Sequence, residues 1–234
     1  MPKPRSIAID GPASSGKSTV GLRLADELGY LYFDTGILYR AVTLAVIRAG
    51  LDSDQEIEVA WLARKLQIDV QQPSKQDGRK EDVFLDGEDV TWAIREPQVD
   101  ALVSKISAYA EVREAMIDQQ RRIGRRGQVV MVGRDIGTVV MPDADLKIYL
   151  EASLEERAKR RYKEILMRGE DADFDQVLAA LRNRDTIDSS RAVAPLKPAG
   201  DAIIIVADQL TVEQVLEKIR NHCGEYQNER ESQG

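Results

Sequence analysis

An α/β fold, with a parallel sheet covered by helices on both faces, follows from three features of the sequence. Short β-rich apolar runs recur at Ile7–Ile9, Leu31–Phe33, Val129–Val132, Leu146–Leu150 and Ile203–Val206. Most lead through a polar or glycine-bearing turn into a helical pattern, at roughly 16 to 28, 37 to 49, 153 to 168 and 211 to 221. Strands alternating with helices in this way build parallel sheets. The chemically distinctive residues also follow the strands: Gly11 to Thr19, then Asp34-Thr35-Gly36, then Gly133-Arg134-Asp135. In open α/β sheets ligands gather at those carboxyl ends.

The first strand enters a helix through GPASSGKST, with the spacing G-x-x-x-x-G-K-S. Such a loop turns several backbone N–H groups inward, and its glycines let the backbone approach an anion closely. The helix N-terminus adds partial positive charge. Gly11, Pro12, Ala13, Ser14, Ser15, Gly16, Lys17, Ser18 and Thr19 therefore form a P-loop for the phosphates of a nucleoside triphosphate, ATP. Lys17 supplies a point charge for the outer phosphates, and Ser18, with Asp34 beyond the second strand, is the candidate for Mg²⁺.

After the second strand FDTGILYR carries Thr35 and Arg40. Residues 66 to 100 break the strand–helix rhythm. They alternate in polarity and contain Asp77-Gly78 and Asp86-Gly87, both hairpin signals, so a small antiparallel insert of two or three strands is expected. Residues 101 to 126 read as mainly helical and end in RRIGRR. Arg134 follows the third strand. EERAKRRYKEILMR places Arg157, Arg160 and Arg161 on one helical face, and a loop and second helix follow. In that helix Arg184, Asp188 and Arg191 stand at i, i+4 and i+7, which puts Asp188 between two guanidinium groups. This helix–loop–helix is expected to fold over the phosphates as a lid.

Composition removes other chemistries. The 234 residues hold one cysteine, Cys223, and one histidine, His222. No disulfide can close within the chain, no Cys/His zinc site can assemble, and Ser-His-Asp catalysis has only His222, beside the expected tail, to offer as its base and is not expected. The formal charge of −7 disfavours stable nucleic-acid binding. No run is long enough to span a membrane, and no signal segment is evident, so a cytoplasmic protein is expected. One domain over 1–222 is expected, with core 1–34, 127–152 and 193–222, an acceptor region at 35–126 and a lid at 153–192. A disordered tail is expected over 223–234.

The acceptor is the remaining question. No N-K-x-D guanine signature is present. A hydroxyl acceptor would call on Asp34 or Asp135 as base, but a phosphate acceptor is already anionic and needs none. Catalysis then rests on positioning and charge neutralisation by Lys17, the cation and arginines. The supply of arginine favours a nucleoside monophosphate.

At this point the chain resembles the bacterial cytidylate kinases. The resemblance lies in AIDGPASSGKST, FDTGILYRA, VFLDGEDVT, REPQV, VREAM, GRDIGTVVMPDADLKIYLEAS, EERAKRR and SSRAVAPL, in order from residue 8 to about 196. It implies transfer of the ATP γ-phosphoryl group to CMP or dCMP, a core of five parallel strands, an acceptor region enlarged by the insert, and a mobile lid. It implies that Thr35, Arg40, Arg134 and Arg191 hold the CMP phosphate, and that Ser104, Arg113 and Asp135 read cytosine. Arg184 and Asp188 become phosphate and ribose contacts on the lid side. Together with Lys17, Arg134 and Arg184, the cluster Arg157, Arg160 and Arg161 is expected to serve catalysis.

Three departures matter. Relatives often carry an acid directly before GRD, where this chain has Val132, leaving the metal to Ser18, Asp34 and water. Thr186 and Ile187 stand where relatives often have charged residues. Ser104 and Arg113 are nine residues apart, half a turn out of phase on one helix, so they converge only if the helix breaks near 107 to 110, where some relatives have proline in place of Ala110. A monomer is expected. The rival readings are a P-loop kinase for UMP, dTMP or shikimate, and an RNA-associated NTP-binding module using RRIGRR and RAKRR.

Overall fold

The computed structural model describes residues 3–167, 169 and 171–231. In chain order it forms β1 (Ser6–Asp10), α1 (Lys17–Leu28), β2 (Leu31–Asp34), α2 (Gly36–Arg48), α3 (Glu56–Lys65), β3 (Ile68–Gln71), β4 (Asp82–Leu85) and β5 (Glu88–Asp89). There follow α4 (Pro97–Ile106), α5 (Ala110–Gly124), β6 (Val129–Gly133), β7 (Leu146–Glu151), α6 (Leu154–Met167), α7 (Phe174–Ser190), β8 (Ile203–Val206) and α8 (Val212–Glu231). All five expected core strands pair in parallel, in the order β2-β6-β1-β7-β8.

Alternation along the strands splits the core in two. Ala8, Phe33, Val129 and Met131 face α2 and the insert side, whereas Ile7, Ile9, Val130 and Val132 face α1 and α8. Both faces of the sheet are covered, which is why the strands read as unbroken apolar runs. Register then sets the site. Asp10 pairs with Gly133, and Asp34 with Val132. The loops beginning at Gly11, Thr35 and Arg134 therefore leave the sheet side by side.

The insert is a three-stranded antiparallel sheet, β3-β4-β5. Asp86 and Gly87, with φ of 50° and 87°, make the tight turn between paired Leu85 and Glu88, as the Asp-Gly signal predicts. Asp77-Gly78 does not form a second tight hairpin. It lies within the longer link between β3 and β4, where the buried Arg79 ties Asp77, Asp82 and Asp89 together at 2.8, 2.7 and 3.0 Å. The RRIGRR stretch has a structural use. Arg122 and Arg126, one turn apart on α5 and just beyond it, donate to the carbonyls of Ile68 and Val70. These are outward-facing groups of the edge strand β3, so the two guanidinium groups close an edge that would otherwise be open to pairing.

The helix expected over 101–126 is broken where the convergence of Ser104 and Arg113 requires it. α4 stops at Ile106, and Tyr109 turns extended, with ψ of 123°, before α5 starts at Ala110. Ala110 is the first residue of α5, where an amide has no intrahelical acceptor, and the extended residue before it suits proline. Ala110→Pro is expected to stabilise the fold by about 0.5–1 kcal/mol through the unfolded chain. A lower urea midpoint for this variant would show that the break needs the Ala110 amide.

Other differences are local. α3 lies where no helix was expected, and the segment after Asp135 forms a π-helical turn over Ile136–Val140. α8 continues to Glu231, past its expected end at 221 and into the segment expected to be disordered. No helix among the described residues is long and apolar enough to cross a membrane.

Candidate active site

The P-loop backbone is shaped by what it must avoid. A Cβ on Gly11 would sit 2.2 Å from the Leu150 carbonyl oxygen, so only glycine lets the loop pass under β7. Gly16 has φ of 98°, a conformation side chains rarely adopt, and it opens α1 without a side-chain cap. The first turn of α1 contains no acidic residue, and the buried Ser15 hydroxyl has no hydrogen-bond partner. An uncapped N-terminus beside an unsatisfied buried hydroxyl is matched to an anion.

Lys17 is buried, and its Nζ donates to the Pro12 carbonyl at 2.7 Å. Burial, then the charge of Arg134, pulls its pKa down to about 7. Ser18 donates to Asp34 Oδ2 at 3.2 Å, which brings the two expected metal contacts together. One hydroxyl and one carboxylate suit Mg²⁺, a hard cation that keeps several waters and shares itself with substrate phosphates.

Beyond them opens a cleft of about 500 Å³. Every residue expected at the acceptor lines it: Thr35, Arg40, Ser104, Arg113, Arg134, Asp135, Asp188 and Arg191. Arg161 and Arg184 line it as well. Arg113 is buried at the start of α5, bonds Asp135 at 3.2 Å and lies over the Tyr39 ring at 5.4 Å. Its Nε is buried without a partner, as is that of Arg191. Burial raises the Asp135 pKa, though Arg113 and Arg191 oppose the shift. Arg40 donates to the Ile94 carbonyl and pairs with Asp100 at 2.5 Å, and Thr35 donates to the Val132 carbonyl.

The arginines expected on the lid are placed differently from that expectation. Asp188 is held between Arg134 and Arg191, not between Arg184 and Arg191. The Arg134 guanidinium reaches across from the sheet and displaces the i,i+4 partner. Arg184 makes no hydrogen bond or ion pair among the described residues and stays available in the cleft. Arg157, Arg160 and Arg161 also separate. Arg157 is buried, donates to the carbonyls of Ala13 and Ala152, and pairs with Asp185 at 2.5 Å. Arg160 donates to the carbonyls of Ser15 and Ala207 and pairs with Glu156. These two brace the P-loop from behind, and only Arg161 faces the cleft, paired with Glu164.

Two residues were missed. Asp10, the last residue of β1, accepts from the Ile136 and Gly137 amides at 2.8 Å each and so pins the loop that carries Arg134 and Asp135. Burial moves its pKa up to about 6. A carboxylate closing an apolar strand just before Gly11 was the available signal. Tyr39, beneath Arg113, lay within the quoted FDTGILYR.

The family model described as cytidylate kinase matches residues 7–225. A cytidylate kinase of Chloroflexus aggregans is 56% identical over 211 residues, 90% of each chain. One from Roseiflexus castenholzii is 48% identical, covering 98% of this chain and all of the relative. One from Enterococcus faecalis is 48% identical, covering 92% and 94%. With a family match across nearly the whole sequence and relatives near half identity, the chain belongs to the cytidylate kinase family.

Proposed function

We propose that the protein transfers the γ-phosphoryl group of ATP to CMP, and to dCMP, forming ADP and CDP or dCDP. One observation carries this reading: a single cleft joins four candidate phosphate contacts, Thr35, Arg40, Arg134 and Arg191, to three candidate base contacts, Ser104, Arg113 and Asp135. An acceptor phosphate oxygen attacks the γ-phosphorus, and the bond to the β–γ bridging oxygen breaks as ADP leaves. The nucleophile is anionic near neutral pH, so no protein base is needed. Lys17 follows charge on the transferring group, while Arg134, Arg184 and Arg191 offset repulsion between two anionic substrates. Mg²⁺ on Ser18 and Asp34, when bound, neutralises charge on the triphosphate. The protein acts on diffusible nucleotides as a cytoplasmic monomer, and the commitment of Arg122 and Arg126 to carbonyls of β3 supports the part of this reading that leaves out nucleic acid.

Base choice follows from donor and acceptor matching. Cytosine presents an amino donor suited to the Asp135 carboxylate or the Ser104 hydroxyl, and acceptors suited to Arg113. Uracil offers a second acceptor where the amino group was, leaving a desolvated clash. ADP release should favour CMP over UMP by about 10- to 100-fold in kcat/KM. A coupled assay across CMP, dCMP, UMP, dTMP and shikimate tests this. Equal ATP hydrolysis with and without CMP would refute the reading.

A further inference from the structure

The antiparallel insert brings a carboxylate to the metal side of the site. A second cavity, of about 400 Å³, is lined by Ser18, Tyr32 and Asp34 from the core and by Lys80, Glu81 and Arg95 from the insert and the turn after it. Glu81 is 1% exposed. Its Oε1 accepts from Arg95 Nη2 at 2.5 Å, whereas its Oε2 is buried with no hydrogen-bond partner. A buried carboxylate oxygen left unpaired is costly, so such an atom in a residue that lines a cavity marks a place for a donor. The pair Ser18–Asp34 across that cavity is the candidate cation site.

Val132 supplies the complementary fact. It is the strand partner of Asp34, directly before Gly133-Arg134-Asp135, and it is fully buried against α1 in the cluster with Ile9 and Val20. The strand beside Asp34 therefore brings no carboxylate of its own to the cation, and a second one has to come from elsewhere. Mg²⁺ keeps several waters when bound to nucleotides, and those waters donate to carboxylates outside the first shell. Glu81 has the spare acceptor for that work, and Arg95 fixes its rotamer.

We propose that Glu81, delivered by the insert, is the second carboxylate of the metal site: its Oε2 accepts from water on the cation held by Ser18 and Asp34. This rests on the kinase reading above and gives the insert a task in donor binding. Lys80 and Arg95 limit how much negative charge the cavity presents, so the site holds a cation tightly only when ATP is present.

The test is direct binding with Mn²⁺ as the probe, read by its electron paramagnetic resonance in the presence of ATP, alongside ATP binding in EDTA. Glu81→Gln should weaken Mn²⁺ binding to the protein–ATP complex by about 10-fold or more, with metal-free ATP affinity unchanged. Arg95→Lys, which keeps a cation beside Glu81, should stay within about threefold of the parent. If Glu81→Gln unfolds, Glu81→Met, which removes the buried charge with little change in volume, takes its place and should show the same loss. Unchanged Mn²⁺ affinity in the folded variant, or an equal loss of ATP affinity in EDTA, overturns the proposal. CMP-dependent ADP release by the parent, measured in parallel, separates failure of this inference from failure of the kinase reading.

Discussion

Lys17→Met is expected to lower turnover by about 10²- to 10³-fold, the range seen when one donor aimed at developing negative charge is removed. Lys17 is buried at the mouth of the P-loop, and its ammonium group is held on the Pro12 carbonyl at 2.7 Å. A triphosphate arriving at the uncapped end of α1 offers a stronger acceptor than a neutral carbonyl. The methionine variant keeps much of the side-chain volume, so its loss reports charge rather than packing. A turnover within threefold of the parent would remove Lys17 from the chemistry.

The same group links nucleotide binding to pH. In the free protein its pKa is lowered from 10.5 to about 7, first by burial and then by Arg134. The charged form is therefore disfavoured by folding. That cost is present in full below about pH 7 and disappears as pH rises towards 10.5. Lys17→Met should accordingly be the more stable protein at neutral pH without ligand, and its advantage should shrink in alkali. Bound phosphates reverse the preference, so ATP binding above pH 7 draws in a proton and ATP affinity falls as pH rises. Calorimetry at about pH 8 in buffers of different ionisation enthalpy should find uptake approaching one proton. No uptake by the parent, or the same uptake by Lys17→Met, would contradict this assignment.

The elements most legible in the sequence were those whose signal is local. Apolar runs gave the five strands because burial on both faces demands them, and GPASSGKST specified its own loop. The break before Ala110 was reachable only indirectly, through the requirement that Ser104 and Arg113 meet. What stayed hidden depends on contacts across the chain. No local pattern tells that Arg134, from the third core strand, takes Asp188 away from Arg184. Arg157 and Arg160 share a face with Arg161, yet packing against Asp185 and P-loop carbonyls turns them into braces. Glu81 in a polar hairpin link gives no sign that the insert buries it near Asp34.

Arg191→Ala carries the second large effect, and it should fall on one substrate. Arg191 follows α7 and is joined through Asp188 to Arg134, so one buried carboxylate orients two guanidinium groups that line the cleft proposed for the acceptor phosphate. Burial, then repulsion from Arg113, lowers the Arg191 pKa, which marks a site where positive charge is concentrated ahead of an anion. Removing Arg191 deletes one phosphate contact and leaves Asp188 with a single partner, so the carboxylate then also repels the incoming phosphate. The expected result is a rise in KM for CMP of about 10²-fold, equivalent to roughly 2.7 kcal/mol, with KM for ATP within about twofold. Asp188→Asn in the Arg191→Ala background separates the two causes. If repulsion by the unbalanced carboxylate contributes, the double variant recovers part of the lost CMP affinity, whereas loss of the guanidinium contact alone gives no recovery. An equal loss for ATP and CMP would mean that Arg191 serves lid closure over both nucleotides, not recognition of the acceptor phosphate.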